Sequence, residues 1–110
     1  MYPTTPDGRY FAVKQQLWRC SNPSLAAAER EAFVAELMSA RRAVKEAKRA
    51  EDAQALKSAR ARVNDAKVAL GERGPVWWDD GSPDYNRFKV SNTPYAQWFA
   101  QLPDKIGGPA

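Results

Sequence analysis

Residues 25–70 contain neither Gly nor Pro, and Ala, Glu, Lys, Arg, Leu and Gln dominate them. This is the composition of strong helix formers, and the apolar positions carry the helical period. In the first part they run Phe33, Leu37, Ala40, Val44 and Ala47. Continued in register, that stripe would land on Glu51 and Gln54. The second part instead runs Leu56, Ala59, Val63, Ala66 and Leu70, two residues out of step, and two residues at about 100° each turn the apolar face to the other side. One straight rod would split its stripe. A break at 50–52, with Asp52 as the N-cap of the second segment, lets the two stripes face each other. The pattern therefore predicts an antiparallel helical hairpin, residues 27–49 and 53–70, with arms about 34 Å and about 27 Å long.

The flanks follow different patterns. Residues 9–20 turn apolar and aromatic through Tyr10, Phe11, Val13, Leu17 and Trp18, and residues 10–13 read as a short strand or an extended segment pressed on a core. The run SNPS at 21–24 is turn chemistry with a hydroxyl able to cap the following helix. Gly71 stands where a helix-ending glycine belongs, and Gly74-Pro75 stops any continuation. Ser82-Pro83-Asp84 has the order N-cap, N1, N2 and predicts a short helix or turn through Phe88. Asn92-Thr93-Pro94 repeats that grammar and predicts a last helix over 94–102, with Tyr95, Trp98, Phe99 and Leu102 on one face. Residues 1–8 and 103–110 lack any periodicity and are expected to be loose.

Two Ala-rich helices bury little area, so the missing burial has to come from elsewhere. The chain holds four Trp, four Tyr and four Phe among 110 residues, and each can bury roughly 150–250 Å². The expected fold class is thus all-α: one domain over 1–110, a helical hairpin closed at its open end by aromatic-rich N- and C-terminal segments.

Composition narrows the chemistry. There is no histidine and a single cysteine, Cys20. That removes the usual general base, the usual zinc ligand and the partner in Ser-His and Cys-His pairs, so structural zinc is not expected and no cofactor is implied. One cysteine forms no internal disulfide, and no signal-like N-terminus is seen, which points to a cytoplasmic protein. No window approaches the roughly 18 apolar residues of a membrane span.

Taken together, LWRCSNPSL, LMSARRAV, KVALGERGPVWWDDGSPDYNR and NTPYAQWF resemble a family of short, stand-alone bacterial proteins without an assigned function. The resemblance covers residues 10–102, and the GERGPVWWDDGSPDYNR stretch is its specific part. It implies a bacterial cytosolic protein acting as a whole domain, and it transfers no catalytic or binding residue.

Charge adds a candidate surface. The net charge is +4, and it is uneven: between residues 41 and 62, eight basic residues face three acidic ones, a local +5. Arg41, Arg42, Lys45, Lys48, Arg49, Lys57 and Arg60 would flank the tip of the hairpin, where they could neutralise nucleic-acid phosphates or meet an acidic protein. The bland alternative is a solvated helical surface. A second candidate is the aromatic and acidic loop of Arg73, Trp77, Trp78, Asp79, Asp80, Asp84, Asn86 and Arg87. Its carboxylates could hold a hard cation or serve only as turn and cap residues. Adjacent Trp77 and Trp78 point to opposite sides of an extended chain, so one could stack a base or a partner side chain.

The leading expectation is a small binding module that engages nucleic acid or another acidic partner through a basic hairpin tip. Its rivals are an enzyme with a pocket at residues 77–87, using an Asp as acid or base, and a helical module whose Ala-rich faces recruit another helix or a second copy.

Overall fold

The computed structural model describes residues 2–102, which group into two compact units. Asn22–Trp77 form the helical unit, and residues 2–21 with 78–102 form the other. The predicted tail at 103–110 lies outside the described residues.

In the helical unit, α1 (Ala27–Arg49) and α2 (Ala53–Leu70) pair as a hairpin with the predicted boundaries. Asp52 caps α2, its carboxylate accepting from the Ala55 amide at 2.9 Å. The turn closes in a Schellman arrangement: the Asp52 amide donates to Ala47 O at 3.0 Å and the Glu51 amide to Lys48 O at 3.2 Å. Glu51 sits at the left-handed position with φ 53°. The same motif ends α2, where Gly71 has φ 86° and the Glu72 amide donates to Lys67 O at 2.9 Å. Here glycine is required, because a Cβ would stand 3.0 Å from both Asn22 Cβ and Trp77 Cδ1. The two stripes meet as predicted. Leu37, Ala66 and Leu70 form a buried cluster, flanked by Leu25, Phe33, Val34 and Val63. The start of α1 differs from expectation: its N-cap is Ala26, which receives no side-chain cap, and the Glu29 carboxylate reaches back to the Ala26 amide at 3.2 Å. Asn22 takes over the turn, its side chain accepting from the Ser24 amide at 2.9 Å.

The second unit corrects the all-α expectation. Strands β1 (Tyr10–Val13) and β2 (Gln16–Arg19) form an antiparallel hairpin with register Tyr10↔Arg19, Phe11↔Trp18, Ala12↔Leu17 and Val13↔Gln16. The connecting pair Lys14-Gln15 has φ 51° and 68°, the double left-handed geometry of a tight two-residue turn. Bridges Thr4↔Phe11 and Gln16↔Lys89 extend the ladder on both edges. The expected loose leader is held in this ladder: the Ala12 amide donates to Pro3 O, and buried Thr5 exchanges bonds with Tyr10.

On the inner side of the hairpin Tyr10, Ala12, Leu17 and Arg19 are buried. Tyr10 is the hub, with its ring edge-on to Trp78 at 5.7 Å and to Tyr95 at 5.5 Å between centroids. Of the short helix or turn expected from Ser82, the turn forms: the Phe88 amide donates to Tyr85 O at 3.0 Å, and no helix starts at Ser82. Asp80 accepts from the Ser82 amide at 3.0 Å and Asp84 from the Asn86 amide at 2.9 Å, so these side chains bond their own turns rather than a helix start. After a single 3₁₀ turn at Val90–Asn92, α3 (Ala96–Ala100) is shorter than the predicted 94–102. Thr93 is buried and its hydroxyl donates to Val90 O and accepts from the Tyr95 amide.

Candidate functional site

The basic candidates divide by their partners. Arg49 pairs with Glu46 at 3.0 Å, one turn away on α1. Arg62 is held by Glu36 through two bonds of 3.0 Å and by Ser39 at 3.1 Å, which ties α2 to α1. This fork holds the Glu36 carboxyl below its ordinary value. Arg41, Arg42, Lys45, Lys48, Lys57 and Arg60 are exposed. None of these six forms a salt bridge among the described residues.

Two of them converge with a residue from the other candidate set. Arg41, Arg60 and Arg73 line an open groove of about 390 Å³ whose apolar lining is Val44 and Val63. The local sequence explains the placement. Arg41 and Val44 are three apart on α1, as are Arg60 and Val63 on α2, so each arginine stands one turn from a residue of the hairpin seam. Past the Gly71 cap the chain doubles back along α2. Gly74 lies against Val68, and the Arg73 guanidinium donates to Asn64 Oδ1 at 3.3 Å. At 1.5 Å per residue, Arg41 and Arg60 sit about 12–14 Å from the turn, so the groove lies partway down the arms rather than at the tip. The groove thus sets three guanidinium groups, whose forked donors can pair with anionic oxygens, beside an apolar floor.

The aromatic and acidic loop is divided between the units. Arg73 and Trp77 belong to the helical unit, whereas Trp78, Asp79, Asp80, Asp84, Asn86 and Arg87 belong to the other. Neither tryptophan is exposed: Trp77 is half-buried beside Gly71, and Trp78 is buried with its indole N–H donating to Ser82 O at 2.9 Å. The Arg9 guanidinium lies 4.7 Å above the Trp78 ring and pairs with Asp80. Arg9 first, then the Ser82 amide and hydroxyl, hold the Asp80 carboxyl at about 2. Asp84 pairs with Arg19 at 3.3 Å, and Asn86 Oδ1 accepts from the Arg19 amide at 2.9 Å. Asp79 is exposed. Among the described residues no group of three or more acidic or thiol side chains converges on a point.

Two ionisable neighbours were not anticipated. The Tyr95 hydroxyl donates to Asp7 at 2.5 Å. Burial, then that bond, push the Tyr95 phenol well above its ordinary value. Burial alone would raise Asp7, but hydrogen bonds from Thr5, Tyr95 and the Arg9 amide outweigh it and hold the carboxyl low. Arg9, Arg19 and Asp7 carried no signal in the sequence beyond their charge, because each finds its partner on a distant segment.

No protein-family model, curated protein or solved structure matches the chain. Among the described residues no helix is long and apolar enough to cross a membrane.

Proposed function

We propose that the protein is a binding module whose helical hairpin engages the phosphates of nucleic acid. The observation that carries this reading is the groove: Arg41, Arg60 and Arg73 gathered over Val44 and Val63, with no salt bridge to any of the three among the described residues. Arginines without a carboxylate partner retain their attraction for an external anion, and their forked donors match phosphate oxygens. Exposed Arg42, Lys45, Lys48 and Lys57 on the same two helices extend the positive field that steers a polyanion. Nothing in this arrangement reads base edges, so the binding is independent of sequence.

The enzymatic alternative draws less support. Asp80, at about 2 and paired with Arg9, stays ionised near neutral pH and is a poor general acid or base there, while Asp84 is engaged by Arg19.

The test is fluorescence anisotropy of a labelled duplex against the protein and its Arg41→Glu/Arg60→Glu variant. Both positions are exposed, so the fold should survive the change. The expected result is a loss of binding of at least about tenfold, against little change for Arg49→Glu, whose guanidinium already has Glu46 beside it. Equal affinity for all three proteins would sink the reading. Binding of a labelled polyglutamate peptide without binding of the duplex would turn it toward an acidic protein partner.

A further inference from the structure

From the outer face of the β-hairpin, we infer a second site that stacks the unpaired bases of a single-stranded nucleic acid. It goes beyond the groove reading and does not rest on it, because it uses other side chains in the other unit. Alternation along β1 and β2 buries Tyr10, Ala12, Leu17 and Arg19 and leaves Phe11, Val13, Gln16 and Trp18 only half-buried on the opposite side. Phe11 and Trp18 are direct cross-strand partners. Tyr2 stacks on Phe11 at 6.1 Å with planes 27° apart, and it is 54% exposed. Arg87 caps the other end, its guanidinium 5.9 Å over the Trp18 ring. The result is a row of three aromatic rings and one planar cation across a sheet.

The charge around the row fixes the occupant. Lys14 in the turn and Lys89, bridged to Gln16, are both exposed, and like Arg87 they form no salt bridge among the described residues. The cross-strand positions of this face carry no carboxylate. Aromatic rings for base faces, with cations at the margin for the backbone, are what a single strand requires, and a duplex keeps its bases out of reach of such a surface. The backbone at Arg87 agrees. The Arg87 amide donates to Leu17 O at 2.7 Å and the Leu17 amide to Phe88 O at 2.9 Å, with Arg87 at φ 74°. This is a bulge whose first position normally falls to glycine, and here it projects a guanidinium onto the row.

The test compares a labelled oligothymidine strand and a duplex of equal length against the protein and its Tyr2→Ala/Arg87→Gly variant. The first change removes an exposed ring and the second places glycine where the backbone favours it, so the fold should persist by circular dichroism. Binding of the single strand should weaken about tenfold, as for the loss of a stacking partner and its cationic neighbour, with duplex binding unchanged. Unchanged single-strand affinity would overturn the inference, and so would failure of the wild-type protein to bind the strand at low salt. Should the double variant not fold, Arg87→Gly alone decides, with about threefold weaker binding expected and no change contradicting it. Arg41→Glu/Arg60→Glu separates the two sites: if it loses the duplex but keeps single-strand binding at low salt, both stand, and if it changes nothing, only the groove falls.

Discussion

Replacing Tyr10 by Phe removes one oxygen from the centre of the smaller unit and leaves its packing in place. The ring is fully buried, and its contacts with Trp78, Tyr95 and Tyr85 at 5.7, 5.5 and 6.4 Å survive the change. What disappears is the acceptor of the Tyr85 amide at 2.8 Å and a weaker donation to Pro83 O at 3.4 Å. A net hydrogen bond contributes about 1 kcal/mol, and stranding a buried amide costs about 1–3 kcal/mol. Tyr85 is only half-buried, so water can partly replace the hydroxyl, and the expected loss is about 1–2 kcal/mol. For a cooperative domain of this size that lowers the melting temperature by about 5–10 °C. Thermal unfolding followed by near-ultraviolet circular dichroism reports the Trp78 environment, and amide exchange at Tyr85 reports the bond itself. A melting temperature within about 1 °C of wild type, with Tyr85 protection unchanged, would refute the view that this hydroxyl anchors the 83–85 segment to the sheet.

Three further outcomes are expected. The two Schellman turns should respond oppositely: Glu51→Gly relieves a left-handed side chain and should stabilise by about 0.5–1 kcal/mol, while Gly71→Ala adds strain and a Cβ at 3.0 Å from two atoms and should cost more than about 1 kcal/mol, both read by urea denaturation. Leu70→Ala, at a 1% exposed position between Leu37 and Ala66, should cost about 2–5 kcal/mol in the same assay. Stability should also fall at both ends of the pH scale. Asp7 and Asp80 have depressed folded values, so their contribution is present above the ordinary carboxylate value of 3.8 and lost as pH falls below it, for Asp80 through about 2. Burial raises Tyr95 and Tyr10 above the ordinary 10.0, so their contribution is present below pH 10 and lost above it as the unfolded chain ionises first. Tyr95→Phe should reduce the alkaline slope, and an unchanged slope would contradict the assignment.

The helical hairpin was legible because its signals are local. A Gly- and Pro-free run, a stripe that changes phase by two residues and an Asp at the break all act within a few turns of the residues they organise. The β-hairpin was only half legible for the opposite reason. Its turn is Lys14-Gln15, which lacks the Asn-Gly or Gly chemistry that normally announces two left-handed residues, so Gln16–Arg19 had no visible partner. The segments bridged to its two edges, residues 3–5 and 87–90, lie more than 80 positions apart in the chain. At Ser82 the signal for a helix or turn resolved as a turn at 85–88, because Asp80 and Asp84 bond their own turns and Trp78 holds Ser82 O. The groove was hidden by the return of Arg73 past the Gly71 cap. The repeated spacing of Arg41 to Val44 and Arg60 to Val63 was the available clue, because it sets an arginine one turn from the seam on both arms.

The most direct measurement of the central claim is the salt dependence of duplex binding by the wild-type protein, followed by anisotropy. Three groove arginines each neutralising one phosphate predict a slope of log affinity against log salt of at least about −2.7 in magnitude, or about 40-fold weaker binding over a fourfold rise in salt. The Arg41→Glu/Arg60→Glu variant should flatten that slope toward about −0.9. A wild-type slope near zero, or no binding even at low salt, would contradict the account and leave the three arginines as a solvated face.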